Sequence, residues 1–315
     1  MTSATSDSTG QRTQRAPVTV VAPAKVNLQL SVGPPAVDGY HPLATIFQAV
    51  SLYDEITVTA RERGAGVSLT VDGDTRGDVP VGPENLAWRA VNALADEADR
   101  LPDVHVHIRK GIPVAGGMAG GSADAAATLL ACAALWGESA TRDDLAGVAA
   151  RLGSDVPFIL YGGTAVGTGR GDQLTPALNR GQFHWVFALA HDGLSTPAVY
   201  RRFDQLTPEA AQPEVDEAVM RALRSGDAPA LGRALSNDLQ RAALDLRPAL
   251  RSVMEAGEEN EVLGSVVSGS GPTVALLVAD EEAALDLTVQ LSSSGLCRAV
   301  RHATGPVPGA RIVHR

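Results

Sequence analysis

Between Lys110 and Leu130 the chain reads KGIPVAGGMAGGSADAAATLL, which places a strand pattern, a glycine-rich loop and an alanine-rich helix in direct succession. That order restricts the fold more than any other stretch. Gly116, Gly117, Gly120 and Gly121 admit backbone angles barred to other residues and let a ligand approach the main chain. Upstream, VHVHI alternates as a strand does, and Ala123 to Ala134 is dense in good helix formers. A helix opened by Ser122 or by Asp124 would turn free N–H groups and a positive dipole end toward an anion. The stretch is therefore read as phosphate-binding, with an unliganded glycine turn as the alternative. It is not a Walker A loop, since no Lys-Ser or Lys-Thr pair follows the last glycine, and the Rossmann spacing also fails.

The surrounding chain sets the context for such a loop. Its 315 residues suggest two domains, and 44% hydrophobic with 20% charged residues describes a globular protein with a large core. A formal net charge of −10 argues against a general nucleic-acid binder while leaving room for a localised basic pocket. Cys132 and Cys297 are too few for a disulfide framework and stand in no ligand cluster, so a reducing compartment is expected, with Cys132 as a small core residue. No apolar run has the length of a membrane span, and residues 1–16 lack the hydrophobic segment of a secretion signal, so a cytoplasmic protein without membrane partners is expected.

Met1 to Ala16 reads as a mobile tail. Val18 to Val32 has strand character, but Pro23 removes a ladder donor, so the strand is either interrupted or ends there. Gly33 to Pro42 is turn chemistry, Ile46 to Thr59 resumes a strand, and VSLTV between Arg61 and Pro83 is another. Asn85 to Glu97 has helical spacing, and Thr141 looks like the N-cap of a helix that Gly153 stops. Loops and short strands are expected from Gly153 to Pro176. From about Gln182 the order becomes strand, helices, strand, strand, helix, strand, which suggests a second α+β domain over residues 182–315 after a first over 17–181.

Several residues could carry chemistry. Lys25, in PAKVNL, is either an amphipathic lysine with a packed stem or a charge stabiliser; Asp155, in GSDVPF, is either a turn residue or a base. If they meet, the carboxylate stays ionised beside the ammonium and can accept a proton from an attacking hydroxyl, while the lysine offsets charge in the transition state. GSVVSGSGPTVALLV, Gly264 to Val278, joins two apolar strands through a glycine-serine turn that is either a tight hairpin or a phosphate cover. Tyr40 and His41 suit a planar base, or are incidental to a surface turn.

PAKVNLQL at Pro23 to Leu30, PVAGGMAGGSADAA at Pro113 to Ala126 and SGSGPTVAL at Ser268 to Leu276 resemble, in order and spacing, the three motifs of the GHMP small-molecule kinases. DGYH at Asp38 to His41, GSDVPF at Gly153 to Phe158 and GTGRGD at Gly167 to Asp172 are similar to the branch acting on 4-diphosphocytidyl-2-C-methyl-D-erythritol in the non-mevalonate isoprenoid route.

The resemblance implies an α+β, two-domain kinase fold, with a ribosomal-S5-like N-terminal half, a ferredoxin-like C-terminal half and the site in the cleft between them. It implies ATP-dependent phosphorylation of the 2-hydroxyl of that cytidine-diphosphate sugar alcohol, by a monomer or weak dimer. Lys25 and Asp155 become the catalytic couple, and Asn27, Tyr40 and His41 the cytidine and sugar contacts. The nucleotide side takes Pro113, Val114, Ala115, Gly116, Gly117, Met118, Ala119, Gly120, Gly121, Ser122 and Ala123, with Lys110 just before them, Asn85 near the adenine and Ser122 nearest the magnesium ion. Mg²⁺ is expected to arrive with ATP, since no His, Cys or carboxylate cluster has ligand spacing. The rivals are a homoserine or mevalonate kinase and a nucleotide-binding regulator without chemistry. Ala115 and Ala119 stand where many GHMP kinases have glycine, which is tolerable if φ is negative there, and Asp124 stands where asparagine is common.

Overall fold

The computed structural model describes residues 15–73, 79–114 and 116–313. Ala115 and residues 1–14 of the expected tail therefore lie outside the described residues, while Arg15 donates through Nη1 to Leu135 O.

Strands β1 (Val18–Val32) and β2 (Leu43–Ala60) pair antiparallel over nearly their whole lengths. Pro23 does not end β1. The register slips there instead, so that Pro23 faces Tyr53 while Ala24 faces Val50, leaving Ser51 and Leu52 as a bulge in β2. A bulge is where a residue without an N–H disturbs the ladder least.

The first half continues through β3 (Ser68–Asp72), α1 (Leu86–Glu97), β4 (Val104–Arg109), α2 (Gly120–Trp136), α3 (Arg142–Leu152), α4 (Val156–Tyr161), β5 (Thr164–Gly169) and β6 (Gln173–Pro176). Asn85 caps α1, and Thr141 caps α3 with a reciprocal capping box, as the sequence predicts for Thr141. Helix α4 falls within the stretch read as loops and short strands; six residues are too few for helical periodicity to register.

The second half contains β7 (Phe183–Leu189), α5 (Thr196–Leu206), α6 (Glu217–Ser225), α7 (Ala228–Ala234), β8 (Ser236–Asn237), α8 (Gln240–Leu246), α9 (Ala249–Glu259), β9 (Gly264–Val267), β10 (Val274–Val278), α10 (Glu281–Ser294), β11 (Ala299–Gly305) and β12 (Arg311–Ile312). The strands form two sheets. One has the order β12-β1-β2-β4-β3, with β5 and β6 continuing from β2 and β8 lying parallel to β1; the other has the order β11-β7-β10-β9.

Helix α2 packs on β1 and β2 and against α1, α3 and α4. It is buried on nearly every face, which accounts for its alanine content: small side chains let the helix approach on all sides. Cys132 is wholly buried there, and burial pushes its thiol far up. The β2 bulge joins the sheets, because Thr304 N donates to Ser51 Oγ at 2.9 Å. Nearby, Trp185 Nε1 donates to the buried Gln48 Oε1 at 3.1 Å.

Candidate active site

The glycine loop leads into α2 earlier than expected. The helix opens at Gly120, not at Ser122 or Asp124, and Ala119 is its N-cap in the left-handed region, at φ 61°. The condition that alanine at this position has negative φ therefore fails. Ala119 accepts a conformation that costs a Cβ about 1–2 kcal/mol. No side chain caps the helix, so its first N–H groups remain free to face a ligand.

Gly117 requires glycine twice over: its φ is 70°, and a Cβ would collide with Ser268 O. Ser268 Oγ donates to Gly117 O at 3.2 Å, and Asn237 Nδ2 holds the same turn through Val267 O and Gly269 O. The SGSGP turn is thus the hairpin between β9 and β10 and also the clamp on the central loop.

Beneath this loop lies a cavity of about 350 Å³. Asn85, Lys110, Pro113, Val114 and the loop from Gly116 to Gly121 line it. Ser122, half-buried, and Ala123, fully buried, are not among the residues that line it. Asn85 spends its side chain locally, accepting from Ala87 N at 2.8 Å and donating to Pro80 O at 2.7 Å. Lys110 Nζ is held by two buried carboxylates, Asp54 Oδ2 at 2.5 Å and Asp124 Oδ2 at 2.9 Å.

Lys25 and Asp155 do meet, with Nζ 3.9 Å from Oδ2. The lysine is 4% exposed, and burial lowers its pKa although the charge of Asp155 pulls it back up. Asn27 Oδ1 accepts from Lys25 Nζ at 2.5 Å, and Asn27 Nδ2 donates to Thr45 Oγ1 at 2.8 Å, fixing the ammonium on the sheet. Asp155 sits at the N-cap of α4 yet makes no capping bond, so its carboxylate is spare for chemistry. Both line a cavity of about 280 Å³, with Asn27, Gly269 and Ser270. Gly117 and Ala119 also line it, so its wall is shared with the first cavity.

On its other side, Leu43, Ser154, Arg170, Thr196 and Tyr200 are shared with a third cavity of about 760 Å³ that holds Tyr40 and His41. Asn27 belongs to the middle cavity, not to this one. His41 Nε2 lies 2.7 Å from Asp204 Oδ1 and its ring 5.0 Å from that of Tyr200. Burial, then the charge of Asp155, pushes the Tyr200 phenol up to about 12. Tyr40 is half exposed, with the Arg170 guanidinium 3.8 Å over its ring. Arg170 also donates to Asp38 Oδ2 at 2.9 Å.

Arg89, Arg151 and Arg201 line the same cavity, a basic pocket on an acidic protein. Sequence reasoning missed Arg170, Tyr200 and Asp204. Arg170, between two glycines of GTGRGD, carried a signal; the two α5 residues lie in no motif. Among the described residues, no group of three or more His, Cys, Asp or Glu could hold a metal ion.

Residues 85–163 match the family described as GHMP kinases N terminal domain, and residues 219–295 match GHMP kinases C terminal. Over 300 residues the chain is 54% identical to the 4-diphosphocytidyl-2-C-methyl-D-erythritol kinase of Rhodococcus jostii, covering 95% of this chain and 96% of that one. The enzyme of the same description from Streptomyces coelicolor is 54% identical over 298 residues, covering 94% and 99%. A crystal structure of 4-(cytidine 5'-diphospho)-2C-methyl-D-erythritol kinase superposes with a TM-score of 0.75 at 32% identity, covering 92% and 99%. Homoserine kinase from Cytophaga hutchinsonii, 18% identical with a TM-score of 0.74 and covering 94% and 97%, shares the fold. The chain belongs to the GHMP kinase family, in the group of the 4-diphosphocytidyl-2-C-methyl-D-erythritol kinases, and has that family's two-domain α+β fold.

Proposed function

We propose that the chain transfers the γ-phosphoryl group of ATP to the 2-hydroxyl of 4-diphosphocytidyl-2-C-methyl-D-erythritol, with ATP in the cavity under the glycine loop and the cytidyl end of the acceptor in the cavity around His41. One observation carries the reading: the two cavities each share lining residues with a third between them, and the Lys25–Asp155 pair stands in that middle one. Tyr40 and Tyr200 offer aromatic faces to a pyrimidine, His41 offers a ring held by Asp204, and the arginines suit a diphosphate.

In the middle cavity Asp155 accepts the proton of the attacking hydroxyl as its oxygen bonds to phosphorus and the bond to the ADP oxygen breaks. Lys25, kept in register by Asn27, offsets the negative charge on the transferring group. The free N–H groups of α2 and the loop receive the phosphates. Mg²⁺ would travel with ATP, neutralising its phosphates.

A coupled assay of ADP release, run in parallel with the cytidyl substrate, homoserine, mevalonate and galactose, tests this. ADP formation with the cytidyl substrate alone is expected. Turnover of another alcohol would reassign the outer cavity, and ADP release with none of them would make the chain a nucleotide-binding regulator.

A further inference from the structure

The fold brings GTGRGD against DGYH. Strand β2 begins at Leu43, just after His41 and Pro42, and pairs with β5 so that Leu43 faces Gly169. Arg170 therefore leaves the end of β5 beside the turn that carries Tyr40. Gly169 and Gly171 take φ of 68° and 90°, and Gly171 N donates to Thr168 O at 2.9 Å, which closes the tight turn holding Arg170. The guanidinium is then fixed twice, by the Tyr40 ring 3.8 Å away and by Asp38 Oδ2 at 2.9 Å. Asp38 takes one of its five N–H donors and is itself held by Tyr40 N, which donates to Oδ1 at 3.0 Å.

Five described residues line both the middle and the outer cavity: Leu43, Ser154, Arg170, Thr196 and Tyr200. Arg170 alone among them carries charge. Arg89, Arg151 and Arg201 line the outer cavity but not the middle one, and Arg151 donates to Glu97 at 2.7 Å. An acceptor with its base beside His41 and its reacting hydroxyl beside Asp155 must carry whatever links the two across that shared boundary. In a cytidine-diphosphate sugar alcohol the link is the diphosphate.

We infer that Arg170 binds the diphosphate of the acceptor, so that GTGRGD and DGYH are two halves of one recognition unit, selective for a nucleoside diphosphate over a nucleoside. The inference rests on the reading of the outer cavity as the cytidyl site, and it narrows four arginines to one. A guanidinium already held over Tyr40 gives up little side-chain freedom when a ligand arrives, and its planar fork matches two phosphate oxygens. Arg170 thus acts on how tightly the acceptor is held, while Lys25 and Asp155 act on the transfer.

Calorimetric titration of the full chain with cytidine, CMP and CDP, with Mg·ADP saturating the nucleotide cavity, tests this for wild type, Arg170→Ala, Arg170→Lys and Arg201→Ala. Wild type should bind CDP more tightly than cytidine. Arg170→Ala should weaken CDP about ten- to a hundred-fold, the worth of a charge-assisted hydrogen bond, and move cytidine less than about three-fold. Arg170→Lys should recover part of the loss, because it keeps the charge without the fork. In steady state Arg170→Ala should raise the KM for the cytidyl substrate and leave kcat within about three-fold, a split that a general structural defect does not produce.

A preference for CDP kept by Arg170→Ala, or lost in Arg201→Ala instead, would overturn the inference and leave the outer cavity as the cytidyl site. Equal weakening of all three ligands would overturn it too, reducing Arg170 to a support for Tyr40. So would a fall in kcat with CDP affinity unchanged, which would turn Arg170 toward the transferring phosphoryl group. Wild type that binds none of the three would overturn the reading of the outer cavity and the inference with it.

Discussion

The cavity under the glycine loop takes most of its lining from one short stretch, Pro113 and Val114 with Gly116 to Gly121, with Lys110 and Asn85 beside it. The cavity around His41 instead gathers side chains from five separate segments: the Gly39–Leu43 turn, Arg89, Ala150 to Ser154, Arg170 with Asp172, and α5 from Thr196 to Asp204. The contrast follows from what each would recognise. Phosphates are met by backbone N–H groups, which demand that side chains be absent, so the site compresses into a glycine-rich word. A base and a diphosphate are met by rings and guanidiniums, which can be delivered from anywhere the fold brings together.

The largest expected effect lies between the two regions. Asp155→Asn keeps the shape and removes the charge facing Lys25, and kcat should fall about 10²–10⁴-fold, the usual contribution of a general base. The KM values for ATP and for the cytidyl substrate should move far less, because neither cavity loses a wall. Near-normal turnover in steady-state assays would reduce Asp155 to a bystander.

A smaller effect should fall on one side only. His41→Ala leaves Asp204 without its ring partner and removes a face beside Tyr200, so the cytidyl substrate should bind about 1–3 kcal/mol more weakly. ATP affinity, measured by titration calorimetry, should stay put. A loss shared by both ligands would mean that the two cavities are one recognition unit.

How much was legible follows the same division. Glycine spacing and the Thr141 and Asn85 caps are local and can be read along the chain, as can alternation in the strands. The Lys25–Asp155 meeting was legible only as a condition, since no local rule brings β1 to the start of α4. Tyr200 and Asp204 were silent because an amphipathic helix uses such residues equally well for packing or for solvent. Whether Pro23 interrupts β1 or ends it stayed open because a bulge depends on the partner strand: the extra residues, Ser51 and Leu52, lie on β2. The condition set for Ala119 failed because nothing in alanine's own preference announces a positive φ.

The smallest effect tests that last point. Ala119→Gly should stabilise the protein by about 0.5–1 kcal/mol in denaturant unfolding, the relief of a Cβ at positive φ less the added freedom of the unfolded chain. ATP affinity should hardly change, since a main-chain reader is indifferent to the lost methyl group. Destabilisation would mean that the methyl group contributes packing worth more than the strain.

The return of β12 to β1 sets an order of events for a growing chain. Val20 and Val21 pair with Ile312 and Arg311, and Val313 N donates to Thr19 O at 2.8 Å. A ribosome has delivered β1, including the strand that carries Lys25, long before Arg311 exists. Until then the edge of that strand at Val20 and Val21 stays open, a template for any other extended chain. The interval between translating Val18 and translating Val313 is therefore the period in which a nascent chain is most exposed to mispairing. A fusion or truncation that disturbs residues 311–313 would prolong that exposure without touching a residue of the site.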